Sequence, residues 1–312
     1  MTSGRARVPR RRVDGVLLLD KPPGLSSNGA LQAARRLYRA EKGGHSGTLD
    51  PLATGLLPCL FGEATKFGGE LLDADKTYAA QVALGVTTTT GDAEGEIVER
   101  RPVALGAAEV EQALTRFRGR ISQVPPAYSA LKRAGRPLYE YARAGEPVAR
   151  APRSVTIHEL VLRRFDGDRL DVTVRCSKGT YVRALAEDLG RALGCGAHLA
   201  GLRRTAVGRF SITDAIGLAA LEALGSDARD QRLQPVDALV KHLPAMPVAA
   251  PAAARFRRGQ TVTAAPSATG RFRVYGADGA FIGVGEAGGG ELRPRRLTRQ
   301  DAASPEAAPA AA

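Results

Sequence analysis

The hydrophobic pattern of this chain switches repeatedly between a period of two, continuous apolar runs and a period near 3.6. Val13–Asp20 (VDGVLLLD) is an almost continuous apolar run, which predicts a buried strand, and Lys21-Pro22-Pro23-Gly24 ends it. Ser26 or Ser27 then caps a helix carrying Leu31, Ala34 and Leu37 on one face. Leu56–Phe61 returns as an apolar strand, Ala64–Leu72 reads as a helix, and Thr77–Leu84 alternates polar and apolar residues as a strand. Gly91-Asp92-Ala93-Glu94-Gly95 is a turn into a short strand at Glu96–Glu99, and Val110–Phe117 has helical spacing. Val155–Arg163 and Arg169–Cys176 read as strands joined by the turn Asp166-Gly167-Asp168. Thr180–Leu193 is an apolar-faced helix stopped by Gly194, a suitable C′ glycine. Leu199–Ala206 and Val207–Phe210 are further strand. Strands and helices without strict βαβ alternation predict an α+β fold, a mixed and mainly antiparallel sheet with flanking helices.

Three stretches break the pattern. In residues 118–150, Pro125-Pro126, Gly135, Pro137 and Gly145 interrupt any long element while Tyr128, Tyr139 and Tyr141 interleave with arginines, which predicts a protruding short hairpin and short helix. Leu243-Pro244 to Pro251 is rich in Pro and Ala and marks a domain boundary. Beyond it, glycines punctuate short β-prone runs, so 244–299 reads as a small β-domain. The expected organisation is a disordered basic arm at 1–12, a large domain at 13–243, that small domain, and a disordered Ala/Pro tail at 300–312.

Charge sharpens this picture. The net charge is +13, and it is concentrated: five arginines in residues 1–12, nine Lys/Arg against two Glu in 116–153, and nine Arg against three acids in 245–299. Such blocks point to a polyanionic partner. No apolar run approaches the ~20 residues that cross a bilayer, and the arginines at the N-terminus have no apolar stretch behind them, so a membrane or secretory role is not expected. Cys59, Cys176 and Cys195 are odd in number and far apart, which suits reduced thiols in the cytoplasm.

Most cofactor chemistry lacks a motif. The four histidines lie too far apart to make a spaced metal site with the cysteines. Gly283-Val284-Gly285-Glu286-Ala287-Gly288 matches the dinucleotide fingerprint literally, but a Gly-rich turn follows it where a helix is required. Ser46 beside His45 has no nucleophile elbow around it. The informative segment is His45-Ser46-Gly47-Thr48-Leu49-Asp50-Pro51-Leu52-Ala53-Thr54-Gly55. Pro51 pushes Asp50 out of the α region, and Gly47 and Gly55 bracket the segment with residues that tolerate unusual dihedrals and close backbone approach. The result is one carboxylate on a rigid loop, either a turn cap or an active-site acid.

The undecapeptide resembles the catalytic loop of the TruB family of tRNA pseudouridine synthases. Gly15–Pro22 is similar to the family's opening strand and Lys-Pro turn, and Gly62-Glu63-Ala64-Thr65-Lys66, Asp75-Lys76-Thr77-Tyr78, Ser177–Arg183, Gly194–Leu199 with Leu202-Arg203-Arg204, and Pro294–Leu297 match further blocks in order. The resemblance implies a pseudouridine synthase fold with a C-terminal PUA-like β-domain. It implies isomerisation of uridine 55 in the tRNA T-loop by a monomer, without cofactor, metal or guide RNA. Asp50 is then the nucleophile, attacking uracil C6 or the ribose anomeric carbon, and Arg183 pairs with it to keep it ionised. Tyr78 and Tyr181 contact uracil, Leu202 packs on it, His45 contacts RNA near the vacated stack and Lys21 lies beside the cleft. The basic insertion, with Lys132, Arg133 and Arg136, grips the T-arm stem-loop. The alternative is an RNA chaperone that refolds tRNA, as an additional or sole role.

Overall fold

Gly15–Lys21 is buried on both faces because it is paired on both sides within a large sheet, and its run of five apolar or small residues leaves no polar face to solvate there. The computed structural model describes residues 9–299. Across the sheet the order is Ile216–Gly217, Gly15–Lys21, Thr54–Phe61, Ala197–Val207, Lys76–Leu84, Arg169–Cys176, Arg153–Asp166 and Gly119–Gln123. Two of these neighbouring pairs are parallel, Ile216–Gly217 with Gly15–Lys21 and Thr54–Phe61 with Ala197–Val207; the others are antiparallel. The expected mixed, mainly antiparallel α+β architecture is present.

Lys76–Leu84 alternates strictly, with Tyr78, Ala80, Val82 and Leu84 turned inward and Ala79 and Gln81 outward. The inner face is covered by the helix Val182–Ala192, whose Val182, Leu185, Ala186 and Leu189 pack with Val82, Leu84, Val172 and Val174. That helix ends as expected, with Gly194 at φ +80°. The helix Ser27–Tyr38 packs Ala30, Leu31, Ala34 and Tyr38 against Leu17, Leu19, Leu57 and Phe61. Of the two candidate serines, Ser26 is the cap: its Oγ accepts from Gly29 N at 3.0 Å. Ser27 is buried and has another task, described below.

The structure corrects several expectations. In place of one helix over 64–72 there is a 3-10 segment Gly62–Phe67 and a single turn Gly69–Leu72, because Gly68-Gly69 gives the helix no propensity to continue. The protruding segment begins later than 118: Gly119–Gln123 pairs with Arg153–Ile157 as the sheet's outer strand. The hairpin Lys132–Arg133/Arg136–Pro137 and the helix Leu138–Arg143 then follow as predicted. Ala134 (φ +49°) and Gly135 (φ +82°) make its two-residue turn. The Pro/Ala-rich stretch after Pro244 is not a bare linker, since Ala245–Pro247 is a strand paired with Gly270–Tyr275. A helix, Ala250–Arg257, went unread there; Pro251 in its first turn is compatible with helix initiation.

The C-terminal sheet has the order Ala245–Pro247, Gly270–Tyr275, Phe281–Gly288, Glu291–Leu297, Val262–Thr263, and its core includes Phe256, Val262, Val274, Ile282 and Leu292. The fingerprint-like glycines at 283–288 are the interior of its third strand. This sheet is docked on the body by the ring pair Phe67–Phe281, by Tyr275 donating to Asp237 at 2.7 Å, and by Arg299 N donating to Glu63 at 2.6 Å. At the other end, the basic arm is tied down where it is described: Arg11 N donates to Arg39 O at 2.8 Å and its guanidinium pairs with Asp230. That corrects the expectation of disorder up to residue 12. The expectations for 1–8 and 300–312 lie outside the described residues.

Candidate active site

The Asp50 loop is fixed from several sides. Ser27 Oγ both donates to Leu49 O (2.9 Å) and accepts from Leu49 N (2.7 Å), and Gly24 N donates to Pro51 O at 2.9 Å. Lys21 is 0 % exposed; its ammonium donates to the carbonyls of Pro22 (2.9 Å), Leu25 (2.6 Å) and Pro51 (3.3 Å), and burial lowers its pKa. The Lys-Pro turn and the Asp50 loop are thus one clamped unit, with Lys21 supporting them from beneath. The Asp50 side chain, 43 % exposed, opens on a cavity of about 350 Å³ that Tyr78, Tyr181, Arg183, Leu202 and Arg204 also line.

Arg183 is 5 % exposed and bridges two acids, Asp50 at 3.0 Å and Asp92 at 3.3 Å. Its remaining donors reach the carbonyls of Tyr128 (2.7 Å) and Thr90 (3.2 Å), so its position is over-determined. The expected pairing is therefore present, but its electrostatic outcome differs from the expectation. Burial raises the Asp50 carboxyl above the ordinary range, Arg183 opposes this, and the nearby Asp92 charge adds to it, leaving a net upward shift.

Tyr78 is buried, with its ring in the core beside Leu49 and Ala53, and burial raises its phenol pKa while Arg204 opposes the rise. Tyr181 precedes the helix Val182–Ala192, exchanges two hydrogen bonds with the Gln123 side chain, and carries the Arg153 guanidinium 4.8 Å from its ring centre. Tyr78, Tyr181 and Leu202 thus meet Asp50 at one cavity. His45 does not line it: it sits on the short strand Gly43–His45 beside Cys59, its Nδ1 buried without a hydrogen-bond partner among the described residues, and burial and Arg204 lower its pKa.

The three basic residues of the hairpin separate into two kinds. Lys132 and Arg133 are exposed, and among the described residues neither side chain has an ionic partner. Arg136 is held by Glu146 at 3.2 Å and Glu140 at 3.4 Å and stacks on Tyr141 at 4.3 Å. The sequence reading missed Asp92, Ser27 and Arg204. Asp92 was visible only as a turn residue, which it also is, since its Oδ1 accepts from Glu94 N at 3.1 Å. Arg204 lay inside a matched block with nothing to distinguish it from Arg203. No group of three or more His, Cys, Asp or Glu side chains converges among the described residues.

Three family descriptions match consecutive parts of the chain: TruB family pseudouridylate synthase (N terminal domain) at residues 35–182, tRNA pseudouridylate synthase B C-terminal domain at 183–241, and Pseudouridine synthase II TruB, C-terminal at 244–298. The chain is 56 % identical over 291 residues to tRNA pseudouridine synthase B of Azoarcus sp. (strain BH72), covering 93 % of this chain and 97 % of that protein. To tRNA pseudouridine synthase B of Burkholderia mallei (strain ATCC 23344) it is 57 % identical over 302 residues, with 95 % and 97 % covered. Among solved structures, a chain of the Cbf5-Nop10-Gar1 complex superposes with a TM-score of 0.69 at 26 % identity, covering 91 % of this chain and 84 % of that one. A mixed sheet with an acid–arginine pair in its cleft, in these relatives' company, defines an enzyme of the pseudouridine synthase class. The chain belongs to the TruB family.

Proposed function

We propose that this enzyme isomerises the uridine at position 55 in the T-loop of tRNA to pseudouridine, acting alone on a base turned out of its stack, with Asp50 as nucleophile. The observation that carries the reading is the Asp50 carboxylate, held by Arg183 at the mouth of a cavity whose walls are Tyr78, Tyr181 and Leu202. The relatives' name, tRNA pseudouridine synthase B, supports tRNA as the substrate.

The reaction exchanges a C–N glycosidic bond for a C–C bond and is redox-neutral. A carboxylate supplies the transient covalent bond, at uracil C6 or at the anomeric carbon. The glycosidic bond breaks, the base turns, C5 bonds to the ribose, the bond to Asp50 breaks and returns the carboxylate, and the C5 proton leaves while N1 takes one up, so that the product is an isomer of the substrate. Arg183, itself anchored by Asp92, holds the Asp50 carboxylate in place through these steps. Tyr181 offers a stacking face worth ~1–3 kcal/mol, Leu202 packs on the base, and the Tyr78 hydroxyl takes part in moving the C5 proton. A substrate base reaches Asp50 only when extruded from its loop, and His45 contacts RNA outside the cavity. Residues 13–243 form the catalytic unit. Lys132 and Arg133 on its hairpin, with the basic 244–299 module, carry phosphate contacts to the T-arm. We read the enzyme as a monomer that needs neither guide RNA nor cofactor and works in the cytoplasm.

The test is incubation of the purified chain with an unmodified tRNA transcript, followed by pseudouridine mapping at single-nucleotide resolution. Pseudouridine at position 55 without added RNA is the expected result. Modification elsewhere, or none, refutes it.

A further inference from the structure

Arg204 is 1 % exposed, and among the described residues no carboxylate pairs with it. A buried guanidinium without an acid is costly, so its remaining partners matter. Nε donates to Leu56 O at 2.8 Å and Nη2 to Gly47 O at 2.9 Å, one on each side of the Asp50 loop. In the sheet Arg204 stands directly opposite Tyr78 on one side and Gly55 on the other. Both side chains line the Asp50 cavity, and the Arg204 charge opposes the upward shift that burial gives the Tyr78 phenol.

The two glycines that bracket the Asp50 loop are explained by the same residue. Gly55 has φ +98°, and a Cβ there would lie 2.3 Å from Arg204 O; Gly47 has φ +77°, and a Cβ there would lie 3.1 Å from the Arg204 guanidinium. At Gly55 the Arg204 backbone leaves no room for a side chain, and at Gly47 the positive φ and the nearby guanidinium together disfavour one.

We propose that Arg204 is a positioning residue of this site, a buried cation that holds both ends of the Asp50 loop in one fixed geometry against the strand that carries Tyr78. It touches no reacting atom on this account; it acts through Tyr78 and Asp50. The inference rests on the isomerase reading above for its catalytic consequence, but not for the Arg204–Tyr78 juxtaposition itself. The charged and titratable groups around the pair are Asp50 and Cys176 toward Tyr78, and Lys21, His45 and Lys76 toward Arg204. Three of those are further cations or potential cations, so Arg204 is not placed there to neutralise an acid. Its charge favours the anionic form of the phenol oxygen, against the burial that disfavours it.

The test uses the full chain with Arg204→Met and Arg204→Lys, and tyrosines labelled with 13C at Cζ, the Tyr78 resonance being assigned with Tyr78→Phe. In Arg204→Met the Tyr78 Cζ resonance is expected to move, and single-turnover pseudouridine formation to fall by ~10²-fold, the scale of misplacing a reacting group, with tRNA affinity within a few-fold. Arg204→Lys keeps the charge and is expected to recover part of that rate. If Arg204→Met does not fold, Arg204→Lys decides alone, through a displaced resonance and a rate reduced relative to wild type. An unmoved Tyr78 resonance, or a wild-type rate in the variant, overturns the proposal. The resonance reports the juxtaposition whether or not the chain modifies RNA. Inactivity of the wild-type chain on tRNA, by contrast, refutes the isomerase reading.

Discussion

Arg183 lies 3.0 Å from the Asp50 carboxylate, yet that carboxyl is shifted upward and not downward. A single ion pair normally depresses an acid. Here burial outweighs the pairing, and Asp92 shares the same guanidinium at 3.3 Å and adds its own negative charge. Asp50 is therefore a more basic carboxylate than a free one while remaining fixed in direction.

The first prediction is the acid side of the pH–rate profile. If ionised Asp50 is required, single-turnover rate falls with decreasing pH at a point above the ordinary aspartate value of about 3.9. Asp92→Asn removes a negative neighbour and moves that point to lower pH. Replacing Arg183 with Met removes the positive partner and moves it higher. Rate profiles at fixed tRNA saturation check both signs, and equal shifts in one direction would count against Asp50 as the titrating group.

Stability follows from the same shift. A group whose folded pKa is raised contributes stability that is fully present below its unfolded value and is lost as pH rises through the folded value. At pH 7 the ionised Asp50 is thus a net liability to the fold, and Asp50→Asn should unfold at a temperature equal to or above wild type. The difference should shrink on acidification below about pH 4, where the aspartate is protonated in both states. Thermal unfolding at the two pH values measures it, and a clear loss of stability at pH 7 contradicts the upward shift.

Salt dependence separates the hairpin's basic residues. Lys132 and Arg133 have no acidic partner among the described residues, so replacing both with Ala should reduce the slope of log affinity against log salt by about 1.4–1.8, at ~0.7–0.9 per phosphate contact. Arg136 already holds Glu140 and Glu146, so Arg136→Ala should change the slope by less than one such contact. Titrations over a range of salt concentrations check this. An unchanged slope in the double variant would mean that these charges face only solvent.

Tyr78 distinguishes stacking from proton transfer. If the hydroxyl handles the C5 proton, Tyr78→Phe loses most of its single-turnover rate with near-normal tRNA affinity, almost as Tyr78→Leu does. If the ring only stacks, Phe stays active and Leu loses ~1–3 kcal/mol of binding. The Arg204 charge, which favours the anionic phenol against the effect of burial, favours the first outcome.

Local pattern carried much of the fold, because the strands and helices that build the sheet each have a clean period or a continuous apolar run. Thr77–Leu84 and Thr180–Leu193 were readable within a residue or two for that reason. The Gly68-Gly69 interruption and the helix Ala250–Arg257 were missed since propensity there is weak and the pairing that fixes Ala245–Pro247 comes from a strand some 28 residues away. In the site, Asp50, Arg183, Tyr78, Tyr181 and Leu202 could be named from matched blocks. Asp92 could not, because its partner Arg183 is brought to it only by tertiary packing. The same holds for Arg204, whose burial and lack of an acid are properties of the assembled sheet.

The most direct test of the central claim is single-turnover pseudouridine formation by Asp50→Asn beside wild type, on the same tRNA and with affinities measured in parallel. The amide is nearly isosteric and retains a hydrogen-bond acceptor for Arg183, but it is not a carboxylate nucleophile. The account predicts a loss of more than ~10³-fold in rate with tRNA affinity within a few-fold. Residual turnover above about one part in a thousand, with the variant correctly folded, would remove Asp50 from the nucleophile role.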